Sequence, residues 1–98
     1  MDNGWQKIQL NDLRRDISYE VAGKIQLVFR QLKSGGNTST QLSIANYSDK
    51  PLLVQLEWEN MTDADKGITY TVYQNEPKQV IFQSQKITIH WQNVQSLT

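Results

Sequence analysis

Apolar and polar residues alternate with a period of two along most of the chain, the spacing of half-buried β-strands. Leu52, Val54, Leu56 and Trp58 fall on one side of a run whose other side carries Leu53, Gln55, Glu57 and Glu59. Ile68, Tyr70 and Val72 alternate with Thr69, Thr71 and Tyr73. Val80 and Phe82 follow, then Ile87, Ile89 and Trp91 against Thr88, His90 and Gln92. Nearer the start, Ile8 and Leu10 face away from Trp5, Lys7 and Gln9, and Leu42 and Ile44 alternate with Ser43 and Ala45. The stretches SGGNTS, NYSDKP, MTDADKG and NEPK separate these runs and have turn composition. Pro51 and Pro77 stand at strand entrances, where no ladder donor is lost. Gly35-Gly36 reads as a hairpin turn.

One segment supports two readings. Ile17, Val21, Ile25, Val28, Phe29 and Leu32 make a good helical face, with LKSGG as its C-cap. Against this, Ile17, Tyr19 and Val21 alternate cleanly, and Gly23 would weaken the middle of a helix. The stretch 17–29 also echoes 68–82: Ile-polar-Tyr-polar-Val, a turn, a lysine, then an apolar pair ending in Phe. We therefore expect a hairpin, and with it an all-β antiparallel sandwich of about seven or eight strands. The alternative is one helix over residues 17–33 lying across an antiparallel sheet. In either case 1–98 is expected to form a single domain, with the run 52–58 as a central strand.

Composition narrows the function. The 98 residues carry ten basic and ten acidic side chains, scattered rather than blocked, so the surplus of Lys and Arg that binds nucleic acid is missing. With no cysteine, thiolate metal sites, disulfides and cysteine nucleophiles are excluded. No apolar run has membrane-spanning length, and MDNGWQKIQL lacks the pattern of a signal peptide.

The segment LSIANYSDKPLLVQLEW (42–58) resembles the strand-turn-strand of immunoglobulin-like sandwich modules. It is closest to the cysteine-free kind with N-x-S-x-x-P before an apolar strand, as in major-sperm-protein-like domains and pilus chaperones. The chain departs from those families in having no Cys-Trp-Cys core and no basic pair to anchor a carboxylate. The resemblance implies a non-enzymatic module that binds another protein.

The candidate chemistry is sparse. His90, the only histidine, is in outward phase between Thr88 and Gln92, as an ordinary surface residue would be. Glu57, Glu59, Asp63 and Asp65 form the densest acidic group, with Asp63 and Asp65 as weak candidates for calcium. DADKG lacks the glycine register and distal glutamate of an EF-hand, and a hairpin turn accounts for it. Trp58, Trp91, Tyr70, Phe29 and Phe82 fall in core phase. Trp5, Tyr73, Leu53, Val28 and Ile81 point outward, and Tyr47 lies in a turn. Gathered on one sheet, such residues would make a docking patch. The triplets at Asn37, Asn46 and Asn60 match N-glycosylation acceptors.

Two functions follow as expectations. The first is a non-catalytic module that binds a protein through Tyr73, Leu53, Val28 and Ile81, or along an exposed edge strand; a self-assembling subunit would use the same surface. The second is a carbohydrate-binding module that stacks sugars on Trp5, Tyr47 and Tyr73, with hydrogen bonds from Glu57, Glu59 and Asn60. Neither needs a cofactor, and an enzyme ranks third.

Overall fold

The computed structural model describes residues 5–21 and 23–93, which form eight strands and no helix. They are β1 (Gln6–Leu10), β2 (Ile17–Val21), β3 (Ile25–Ser34), β4 (Asn37–Asn46), β5 (Leu52–Trp58), β6 (Thr69–Val72), β7 (Lys78–Phe82) and β8 (Ile87–Asn93). The alternative helix over 17–33 is overturned, because β2 and β3 pair antiparallel from Ile17↔Phe29 to Val21↔Ile25. In that register Ile17, Tyr19, Val21, Ile25, Leu27 and Phe29 share one face, so a strand pair covers all of them at once. The echo between 17–29 and 68–82 has no structural counterpart. The first is a hairpin within one sheet, whereas β6 and β7 belong to different sheets.

Two four-stranded antiparallel sheets result, ordered β1-β8-β5-β6 and β2-β3-β4-β7. The chain passes from the second sheet to the first twice, between β4 and β5 and between β7 and β8. The strands that leave are neighbours, and so are the strands that arrive: β4 pairs with β7, and β5 with β8. Two adjacent connections thus tie the sheets together. Long β3 and β4 pair through all ten residues, from Ile25↔Asn46 to Ser34↔Asn37. Their connection is the expected Gly35-Gly36, with φ of 56° and 85°. A two-residue turn that matches strand twist needs two such positive angles, which glycine adopts without strain.

The core draws on both sheets: Leu27, Phe29, Leu42 and Ile44 from one, Leu52, Val54, Val72, Ile87 and Ile89 from the other. Burying each such side chain contributes roughly 1.5–3 kcal/mol of transfer free energy. Trp58 stacks on Phe82 of the opposite sheet, ring centroids 5.2 Å apart, and Tyr19 meets Phe29 edge-on at 6.2 Å. Trp58, Trp91 and Tyr70, all in core phase, are partly buried and line the rim of the core. Ile68 departs from its phase: β6 begins one residue later, and Ile68 is exposed. Leu13 fills the core from outside the strands. It lies between β1 and β2, only 1% exposed, and its N–H donates to the Gln85 carbonyl at 2.8 Å.

Asn46 closes the β4–β5 crossing. It is 3% exposed, and its Nδ2 donates to the carbonyls of Lys50 (2.8 Å) and Val72 (2.9 Å). Its Oδ1 accepts from the backbone N–H and the hydroxyl of Ser48, at 2.9 and 2.8 Å. Asn93 Nδ2 at the end of β8 donates to that hydroxyl at 3.0 Å, so β4, the loop, β6 and β8 meet at one polar node. Replacing Asn46→Ala removes both donated bonds and strands the buried Val72 carbonyl. The unfolding free energy should fall by about 2–4 kcal/mol. Urea denaturation reads this as a lower midpoint at unchanged slope; a loss below about 0.5 kcal/mol would show that the node contributes little.

Candidate functional site

Alternation and register divide the expected site residues between two opposite faces. On the β1-β8-β5-β6 sheet, Leu53 stands outward between Gln92 and Thr71, and half-buried Trp5 immediately precedes β1. Glu57 shares that face and is diagonal to His90, with Oε1 3.2 Å from Nε2. Glu59 has left the strand and lies in the turn after β5. Lys7 lies directly opposite His90 in the ladder, so this face carries both signs of charge.

The outer face of the β2-β3-β4-β7 sheet has a different chemistry. Val28 sits between Ser18 and Ser43, and Ile81 opposite Gln41. The neighbouring outward positions hold Gln26, Ala45, Gln79 and Ser39. Among the outward residues of these paired strands only Glu20 and Arg30 are charged. The amides are not loose. Gln26 Nε2 donates to Ser18 Oγ at 3.4 Å, Gln41 Nε2 to Gln79 Oε1 at 3.3 Å, and Gln83 Nε2 to Ser39 Oγ at 3.5 Å. Tyr47 hydroxyl donates to Gln26 Oε1 at 2.7 Å, which lays the tyrosine along the end of this face while leaving it 59% exposed. Ile81, on edge strand β7, is equally exposed. The neutral amides were overlooked in the sequence, although their outward phase and lack of charge were both visible there.

Of the three aromatics expected to stack a sugar, Tyr47 and Tyr73 flank the Asn46–Gln74 bridge, and Trp5 stands apart from them before β1. Trp5 adjoins β1, Tyr47 lies against Gln26 of the other sheet, and Tyr73 belongs to the turn after β6, where Glu76 N–H donates to its carbonyl. Asp63 and Asp65 are likewise engaged locally. Asp63 lies 3.9 Å from Lys66 Nζ, and Asp65 accepts from Thr62 Oγ1 at 2.9 Å. Among the described residues no group of three His, Asp or Glu side chains converges on a metal position.

Two larger open grooves lie among the described residues. One, of about 480 Å3, runs beside the projecting β3–β4 hairpin and is lined by Leu13, Arg14, Gln31, Lys33, Gln83 and Gln85. Its Arg14 is held by Asp12 at 2.9 Å and by Gln85 at 3.1 Å. The other, of about 490 Å3, lies between β5 and the loop 59–68. Comparison of the chain with protein-family models, curated proteins and solved structures gives no match.

The acceptor triplets separate cleanly. Asn37, the first residue of β4, and Asn60, in the turn after β5, are exposed, whereas the Asn46 amide is buried and donates two bonds, so a glycan there is incompatible with the closed fold. Folded protein secreted from a eukaryotic host should therefore carry glycan at Asn37 and Asn60 and none at Asn46. Site-resolved mass spectrometry checks this, and occupancy at Asn46 in folded material would contradict the assignment of its amide bonds.

Proposed function

We propose that the chain is a non-catalytic module that docks a protein partner on the outer face of the β2-β3-β4-β7 sheet. The observation that carries this reading is the depletion of charge across a four-stranded face whose amides are already bonded to neighbouring side chains. Neutral amides cost less to desolvate than ions do. Side chains already held by neighbours lose less freedom on binding. Val28, Ile81 and Tyr47 add apolar contact to this adaptable polar surface, a mixture that suits recognition between proteins. The resemblance of 42–58 to cysteine-free immunoglobulin-like modules points the same way.

Ile81→Lys places an ion on this face without touching the core, and Leu53→Ser alters the opposite face. Both variants should keep the wild-type circular dichroism spectrum. Ile81→Lys should weaken capture of a purified partner about tenfold, and Leu53→Ser should leave it within twofold. Equal binding by wild type and Ile81→Lys would remove the face from consideration.

A further inference from the structure

The groove beside β5 has an origin in the backbone. β8 accompanies β5 along its whole length, from Leu52↔Asn93 to Trp58↔Ile87. On the other side β6 accompanies it only from Leu52↔Val72 to Gln55↔Thr69. Leu56, Glu57 and Trp58 therefore have no strand on that side. Successive residues of a strand present their N–H and C=O groups to opposite neighbours. At least one of these three consequently offers both backbone groups to the groove. Continuing the β5–β6 register would set Ile68 opposite Leu56, Gly67 opposite Glu57 and Lys66 opposite Trp58. The chain does not continue it, because Gly67 has φ 77° and turns the segment away. Ile68 is left exposed, and it walls the groove together with Met61, while Leu56 and Trp58 form the strand side.

We propose that this notch binds an extended peptide, three residues of which add to β5 as a continuation of β6, in the order apolar–basic–apolar. The strand itself specifies that order. A residue opposite Glu57 emerges on the outer face beside a carboxylate whose side chain is 69% exposed, where an opposite charge is the favoured cross-strand partner. The residues on either side of it point inward, opposite Leu56 and Trp58, where apolar side chains meet the rim of the core. Backbone bonds to the open edge supply binding, and the alternate side chains supply selectivity. The chain's own Lys66-Gly67-Ile68 fits this slot poorly, since it sets glycine against Glu57 and lysine against Trp58. The site is on the other sheet from the neutral face and does not depend on it.

The probe is a synthetic peptide with a central Ile-Arg-Ile flanked by Gly and Ser, titrated into labelled protein and followed by amide chemical shifts. Shifts should concentrate at Leu56–Trp58 and Gly67–Ile68, with Kd of order 0.1–1 mM for so short an added strand. Glu57→Lys should weaken the Ile-Arg-Ile peptide roughly fivefold and strengthen an Ile-Glu-Ile peptide by a similar factor. Ile81→Lys should change neither. Shifts confined to other strands, no reversal of preference in Glu57→Lys, or loss of binding in Ile81→Lys would each overturn the proposal.

Discussion

The sandwich depends on one polar node buried where the chain first returns from the β2-β3-β4-β7 sheet to the β1-β8-β5-β6 sheet. Asn46 ends β4 in core phase, and its amide holds the Lys50 carbonyl, the Val72 carbonyl and Ser48, which in turn receives Asn93. Hydrophobic burial alone is indifferent to the angle at which β5 leaves β4. The directional bonds are not, because each has a narrow range of distance and angle. They bring the ends of β6 and β8 to the turn that launches β5. The polar stretch before the chain's best apolar run is thus the fixture that aims it.

Much of the fold is legible in the alternation. Leu52 to Trp58 and Ile87 to Trp91 each read as strands with one dry side, and the structure pairs them as neighbours in one sheet. Pro51 and Pro77 mark the entrances to β5 and β7 as expected. What the pattern leaves out has identifiable causes. Asn46 and Thr40 occupy core phase as polar residues, and only their partners explain why burial is tolerable. Leu13 sits in the polar string NDLRRD, where no period marks it, yet it is among the most buried side chains. Ile68 keeps the phase of Tyr70 and Val72, but the backbone angle at Gly67 withdraws it. Such angles are invisible to a hydropathy pattern.

The candidate residues illustrate the same limit at the level of function. Outward phase was correct for Leu53, Val28 and Ile81, but phase alone does not tell which outer side a strand presents. That depends on which sheet the strand joins, and sheet membership is settled by contacts distant in sequence. The two faces differ because one gathers Lys7, His90 and Glu57 while the other gathers glutamines and serines. Edge strand β7 also shows how a border can be kept from uncontrolled pairing. Lys78 at its start folds over Tyr70 of the opposite sheet, with Nζ 5.5 Å from the ring centroid, so a charge guards the apolar segment that follows.

The sheet orders also impose a sequence of events during synthesis. β2, β3 and β4 are contiguous and pair only with one another until β7 arrives, so this meander can assemble while later residues are still unmade. β1 has a single neighbour in its ladder, β8, and Gln6 must wait for Trp91. Of the eight strands, the first to be made is therefore among the last to find its place. Until β8 has been made, the Ile8 and Leu10 side chains have no ladder to hold them over the core, and the nascent chain carries an unpaired sticky segment while β2 to β7 are added.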